Sequence, residues 1–165
     1  MTLQPVNLKF ALFLVGLVAI FHVATGQSTD QLVKFSNPAT ATTPKGYSQL
    51  VEVDLGTVRM VILSGQVALD KSGEVVGKDD PKAQFEQIFR NIQALVQSAG
   101  GTMKQVVKLT YFVRDVAHLP LLREVRDRYI SQEYPPASTA VEVSNLFRNE
   151  FLAEVEAIAI IPKIK

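Results

Sequence analysis

The spacing of apolar and polar residues changes from one segment of the chain to the next. Residues 47–53 (YSQLVEV) are followed by DLG, which has the residue types of a turn. In the next run, TVRMVILSGQVAL (57–69), apolar and polar residues first alternate and then give way to continuously apolar residues. This pattern predicts a β-hairpin whose second strand becomes continuously apolar and is therefore buried on both faces. A shorter apolar patch over residues 32–35 predicts, at most, an edge strand ahead of the hairpin.

The clearest single element is a helix in the middle of the chain. Between residues 85 and 96 the apolar side chains lie three and four positions apart, which is the spacing of one helix face. Asp80 is suited to the N-cap, Pro81 to the first turn, and two glycines at 100 and 101 to the end. The sequence therefore predicts a helix of about five turns.

The second half of the chain predicts a strand, another helix and two more strands. Residues 106–113 are β-branched and aromatic, residues 119–131 carry apolar residues and Arg126 on one helix face, and STAVEVSN and FLAEVEAIAII again alternate. The predicted order is β-β-α-β-α-β-β. Because only two helices are present to cover the apolar strands, we expect an α+β fold: a mixed sheet with both helices packed on one face.

The first 26 residues differ in kind from the rest. After a single lysine, an uncharged apolar run of about 15 residues ends in Ala-Thr-Gly, and a membrane-spanning helix would need about 20 apolar residues. We predict a signal peptide over 1–26, a linker or N-terminal extension over 27–44, and one domain over 45–165. The domain is then exported, either to the periplasm or outside the cell, with no stable membrane partner. An uncleaved N-terminal anchor is the alternative.

Composition excludes several classes of function. The 17 Lys and Arg residues against 16 Asp and Glu, with no run of like charges, give no surface for nucleic acid. The chain has no cysteine, and the common phosphate-loop, hydrolase and zinc-protease motifs are absent. His118 is the only histidine after the predicted signal peptide, and we expect it to cap a helix or face solvent. No metal site and no organic cofactor are predicted.

Carboxylates and hydroxyls are the remaining candidates for chemistry. Glu154 and Glu156 lie two positions apart, so a strand would point both to the same face. Either both are solvated, or one is shielded and raised in pKa for proton transfer. Gly65, which follows Ser64 at the end of a buried strand, either forms a simple bulge or lets a ligand approach the backbone closely.

Four stretches, in their order and spacing, resemble the RidA/YjgF family of reactive-intermediate deaminases. They are KGYSQ (45–49), ILSGQVALDKSGEVVG (62–77), the run from FEQIF to FVRD (85–115), and PASTAVEV through AEVEAIA (136–159). The resemblance covers about residues 45–162. It implies a chorismate-mutase-like fold and a homotrimer with ligand sites between subunits. The reaction it implies is hydrolysis of enamines and imines to 2-oxo acids and ammonia, without a cofactor.

The same resemblance implies roles for individual residues. Glu154 matches the glutamate that assists the attacking water, and ligand-binding positions correspond to Tyr47, Ser64, Gly65 and Ala140. The family's arginine, which holds the substrate carboxylate, corresponds to Ser138, so this position has a hydroxyl and no cation. A hydrogen bond to a charged group is worth about 1.5 to 3 kcal/mol, so its loss would weaken substrate binding by about tenfold or more.

Arg123 offers a possible compensation for that loss. It corresponds to an asparagine that the family usually has on the second helix, so the ligand's cation could have moved there. Alternatively, Arg123 pairs with Asp127 one helical turn later on a solvated face.

The sequence leaves three functions open. We expect a RidA-like protein that binds a small molecule, similar to a 2-imino or 2-oxo acid, between its subunits, because Ser138 replaces the arginine. An enamine or imine deaminase of the 2-iminobutanoate/2-iminopropanoate type is the alternative. A purely structural trimer would explain the apolar pattern but not the joint presence of Tyr47, Ser64, Gly65 and Glu154.

Overall fold

The computed structural model describes residues 32–163, so the predicted signal peptide and the first residues of the predicted extension lie outside the described residues. Within this range, no helix is long and apolar enough to cross a membrane. Six strands form one sheet: β1 (Val33–Ser36), β2 (Leu50–Asp54), β3 (Val58–Gln66), β4 (Val106–Val113), β5 (Ala137–Glu142) and β6 (Ala153–Pro162). Two α-helices, α1 (Pro81–Ser98) and α2 (Leu119–Arg126), and short 3₁₀ turns at Met103–Gln105 and Val116–His118 complete the described fold.

The sheet is mixed, with the strand order β1-β2-β3-β6-β4-β5. β4 and β5 run parallel, and the other neighbouring pairs are antiparallel. The last strand, β6, lies between β3 and β4, so the two strands that α1 connects are parallel without being adjacent. The predicted α+β fold, a mixed sheet with two helices on one face, is confirmed, and the short apolar patch forms the edge strand β1.

Helix α1 covers the middle of the sheet. It begins as predicted, because a side-chain oxygen of Asp80 accepts a hydrogen bond from the Ala83 backbone at 3.1 Å. Its apolar stripe is buried, as are alternate residues of β6, three of them alanines whose small side chains let the helix approach the sheet closely. The residues of β6 between these, Glu154, Glu156, Ile158 and Ile160, point to the opposite side. We call that side of the sheet the open face. Ile62 of β3 is exposed on it, so the prediction that this strand is buried on both faces is wrong: only the face toward α1 is covered.

Helix α2 is shorter than predicted. It ends at Arg126 rather than near residue 131, and the backbone then makes tighter turns, with Tyr129 N–H donating to the Arg126 carbonyl at 2.8 Å. Ile130 is nevertheless buried, and the Tyr129 ring stacks on Phe89. Apolar residues thus continue inward beyond the end of the helix, which is why their spacing alone overestimated its length.

Candidate functional site

The residues predicted for the site form two groups on opposite faces of the sheet. Glu154 is paired with Phe112 of β4 and lies on the open face, where Gly65 adjoins it. Ser138 and Ala140 of β5 are paired with Leu109 and Tyr111, both of which are buried on the helix side. Arg123 of α2 lies on that side too. One chain therefore does not bring the two groups into a single pocket.

The contact between Gly65 and Glu154 depends on glycine. Strand β3 changes register against β6 between Leu63 and Gln66, so Gly65 lies within a bulge. A Cβ atom added to Gly65 would lie only 1.8 Å from Oε1 of Glu154 and 2.7 Å from its Cδ. The absence of a side chain at this position lets the carboxyl group lie directly against the backbone.

The surroundings of Glu154 alter its acidity. Burial raises the pKa of Glu154 above its ordinary value, and the negative charge of Glu156 raises it further. Glu156, two residues along the strand, is exposed. Of the two interpretations of this pair, the one with a single shielded carboxyl group describes the geometry, and a carboxyl group of raised pKa is suited to exchanging protons near neutral pH.

Tyr47 and Gly65 line the same surface cleft. The exposed rings of Tyr47 and Phe147 line this cleft together with Gln49, Gln66 and Asn91. The two glutamines are buried and bonded to each other, since Gln66 Nε2 donates to Gln49 Oε1 at 3.0 Å. This pair gives the cleft a rigid polar floor.

Ser64 is fixed next to the buried glutamine pair by two hydrogen bonds. Its hydroxyl donates to the backbone carbonyl of Ser48 at 2.7 Å, and its backbone N–H donates to the carbonyl of Gln49. The hydroxyl proton of Ser64 is therefore used in the bond that joins β3 to the preceding loop. Only the lone pairs of its oxygen remain to accept a bond from a ligand.

The second group lines a cavity of about 180 Å³ between α2 and β5. The Ser138 hydroxyl donates to the carbonyl of Pro136 at 3.1 Å. Arg126, which sequence reasoning placed on the apolar side of the helix and not in the site, also lines this cavity. It donates to one oxygen of Asp127 through Nε at 2.8 Å and Nη2 at 2.7 Å. The alternative pairing of Arg123 with Asp127 is therefore wrong: Asp127 pairs with the adjacent residue instead.

Tyr111 is the second residue of this cavity that the sequence did not reveal. Its side chain is 3% exposed, and its hydroxyl has no hydrogen-bond partner among the described residues. Burial raises the pKa of Tyr111, and the neighbouring Ser138 and Arg126 offset only part of that effect. The hydroxyl therefore stays protonated at neutral pH.

Comparison with known proteins identifies the family. The model of the family described as endoribonuclease L-PSP matches residues 38–161. A RutC family protein of Pyrococcus abyssi is 37% identical over 114 residues, covering 68% of this chain and 84% of its own. The 2-iminobutanoate/2-iminopropanoate deaminase of Salmonella typhimurium is 35% identical over 126 residues, covering 74% and 94%. The chain belongs to this family, the RidA/YjgF family.

A solved RidA structure supports the same assignment at the level of the fold. RidA from an Antarctic Psychrobacter species superposes with a TM-score of 0.67 at 33% sequence identity, covering 78% of this chain and 99% of that one. The chorismate-mutase-like fold that the resemblance implied is therefore confirmed.

His118 is the only histidine among the described residues. Within residues 32–163, no cluster of three or more His, Asp or Glu side chains is placed to hold a metal ion. His118 stands at the N-cap position of α2, but its side chain makes no capping bond and instead packs edge-on against Phe85, with ring centroids 6.4 Å apart. The prediction that the His118 side chain caps a helix or faces solvent is wrong, because its ring packs against α1.

Proposed function

We propose that this RidA-family protein hydrolyses small imines, with Glu154 as the group that moves protons. The observation that carries the proposal is the carboxyl group of Glu154, held against the Gly65 backbone with a raised pKa. The relatives named 2-iminobutanoate/2-iminopropanoate deaminase, at 35% identity in Salmonella typhimurium and 34% in Escherichia coli, support the reaction class. The sequence alone placed small-molecule binding first and left deaminase activity open because of Ser138, and the shielded position of Glu154 is our reason for placing hydrolysis first.

The reaction requires one water, and Glu154 takes part in two of the proton transfers. The water oxygen forms a bond to the imine carbon while the Glu154 carboxylate accepts a proton from it. The C=N π electrons move to nitrogen, which takes up one proton to give a carbinolamine. The Glu154 carboxyl group then returns its proton to this nitrogen, the hydroxyl loses its proton as the carbonyl group forms, the C–N bond breaks, and ammonia leaves. A carboxyl group whose pKa lies nearer neutrality than usual exchanges protons in both directions more readily, so the environment of Glu154 suits both steps.

We also propose that the complete site forms between subunits of a homotrimer. Two features support this: all six residues of β5 are exposed, and β5 is hydrogen-bonded to a neighbouring strand on one side only. The open face adds exposed apolar side chains, such as Ile62. Contact between β5 of one subunit and the open face of another would join the two groups of site residues. Sedimentation of residues 27–165 tests this: a trimer is expected, and a monomer at all concentrations would contradict the proposal.

Binding without hydrolysis is the second candidate function, and Ser138 favours it. The hydroxyl of this residue is bonded to the nearby backbone, and the position carries no charge to hold a substrate carboxylate. This candidate keeps the pocket and its ligand, similar to a 2-imino or 2-oxo acid, but predicts that ammonia is released at the spontaneous rate.

The matching family model is described as an endoribonuclease, but we do not propose that this chain cleaves RNA. Basic and acidic residues number 17 and 16, so the chain as a whole lacks the positive charge that binding to a phosphate backbone requires.

Ammonia release distinguishes hydrolysis from binding. An amino-acid oxidase generates 2-iminobutanoate in place, and the protein is compared with its Glu154→Gln and Glu156→Gln variants. We expect release above the spontaneous rate, lost by about 100-fold or more in Glu154→Gln, because general acid–base catalysis contributes at least that much. Glu156→Gln, a change of the same kind on the same strand, should retain most of the activity. Equal activity in the two variants would contradict the role of Glu154.

A further inference from the structure

The cavity between α2 and β5 is positively charged although position 138 is a serine. Its lining residues include Arg123 and Arg126 and no Asp or Glu. The two arginines differ in their surroundings: Arg123 is exposed, whereas the Arg126 side chain is only 20% exposed. A cation shielded from water attracts an anion more strongly than one on the open surface, so Arg126 is the better placed of the two to bind a charged ligand.

Asp127 orients Arg126 without using all of its donors. Both hydrogen bonds between them end on the same oxygen, Oδ1, and they come from Nε and Nη2. A guanidinium group has five N–H donors, so three remain, including both on Nη1. The Asp127 side chain is 38% exposed, so water screens much of its opposing charge. Arg126 is thus held in one orientation and keeps donors for a second acceptor.

Tyr111 provides an independent sign of a ligand in the same cavity. Its hydroxyl is buried and has no partner in the described part of the chain. Most buried polar groups in proteins are hydrogen-bonded, and leaving one unpaired destabilises the fold. Because Tyr111 and Arg126 line the same cavity, we expect an acceptor held by Arg126 to lie within reach of the Tyr111 hydroxyl.

We infer that Arg126 and the Tyr111 hydroxyl bind the carboxylate of the ligand, in place of the arginine that Ser138 replaces. The ligand is then a small 2-imino or 2-oxo acid in its anionic form, and not a neutral imine. This inference rests on the proposed function for the imine end of the ligand. The charge is supplied by α2 instead of β5, one turn beyond the position of Arg123 that the sequence suggested.

Binding of the stable product analogue 2-oxobutanoate tests the inference without requiring catalysis. Isothermal titration calorimetry compares 2-oxobutanoate with its uncharged methyl ester, using the full mature chain and the Arg126→Gln, Tyr111→Phe and Arg128→Gln variants. Arg128 is the matched control, because it pairs with Glu86 instead of lining the cavity. We expect Arg126→Gln to weaken binding of the oxo acid by about tenfold or more, Tyr111→Phe to weaken it by several-fold, and Arg128→Gln to leave it unchanged. Affinity for the ester should not change in any variant.

Melting temperatures separate a binding role from a structural one. Removing an unpaired buried hydroxyl should leave the melting temperature of Tyr111→Phe unchanged or higher, so a loss of affinity in that variant reports contact with the ligand. Unchanged oxo-acid affinity in both cavity variants, or no binding by the unaltered protein, would overturn the inference. If the unaltered protein hydrolyses imines and Arg126→Gln keeps its KM, only the inference fails. If no imine is hydrolysed but Arg126→Gln loses oxo-acid affinity, only the hydrolysis proposal fails.

Discussion

Replacing Gly65 with alanine should displace Glu154 and thereby reduce activity. The added Cβ would lie 1.8 Å from Oε1 of Glu154 and within 3 Å of its Cδ and Cγ, whereas non-bonded heavy atoms pack about 3.5 Å apart or more. The carboxyl group must therefore retreat by about 1.7 Å. Because a misplacement of about 1 Å can cost a reaction about 100-fold, we expect kcat/KM for imine hydrolysis to fall by about 100-fold or more.

The same substitution should scarcely affect stability. The atoms that must move belong to the end of a flexible, half-buried side chain, and Gly65 is not among the glycines with positive φ. We expect the melting temperature to stay within about 3 °C of the original. Gly101→Ala provides the contrast, because its Cβ would lie 2.5 Å from Cδ1 of the buried Ile161. That variant should melt at a lower temperature while its folded molecules remain active.

Ammonia release from oxidase-generated 2-iminobutanoate measures the effect on activity, and thermal denaturation measures the effect on stability. Full activity in Gly65→Ala at an unchanged melting temperature would refute the reasoning, because the carboxyl group would then act equally well from a displaced position. A large loss of stability would show instead that Gly65 is required for the fold.

Three further predictions concern stability, specificity and export. The native state binds the Glu154 proton more tightly than the unfolded chain does, so stability falls as the pH rises from the ordinary glutamate pKa of 4.5 through the raised pKa of Glu154. Glu154→Gln should therefore melt at the same or a higher temperature at pH 7, and a clearly lower melting temperature would make the carboxylate structural. Ser138→Arg should lower the KM for 2-iminobutanoate by less than about threefold, because Arg126 already supplies the charge; a drop of tenfold or more would contradict that role. The mature protein should begin at Gln27 in the exported fraction, as mass spectrometry of the intact chain would show; the full-length mass in the membrane fraction would instead indicate an uncleaved anchor.

The sequence predicted the fold well because its signals are local. The cap at Asp80, the helical spacing that follows it and the alternation around Glu154 each act within a few residues, and each appears in the structure where it was expected. The end of α2 was misplaced because Tyr129 and Ile130 remain packed inward after the helical bonds have ended.

The cavity between α2 and β5 was harder to predict because it joins residues far apart in the chain. From its sequence position, Tyr111 is predicted to be a core aromatic residue of a strand, and no neighbouring residue indicates that its hydroxyl is unpaired. Arg126 is predicted to be a charged residue on an otherwise apolar helix face. That unusual position was the one sequence signal of the cavity, and it could be interpreted only once β5 was known to lie opposite α2.

The dependence of imine hydrolysis on pH tests the central claim most directly. We would measure kcat/KM for 2-iminobutanoate from about pH 4 to pH 9, corrected for spontaneous hydrolysis, in the unaltered protein and in Glu154→Gln. If Glu154 acts as the carboxylate that accepts a proton from water, the rate should rise with pH through an inflection above its ordinary pKa of 4.5. That inflection should be absent from Glu154→Gln. An inflection that persists in Glu154→Gln would contradict the account.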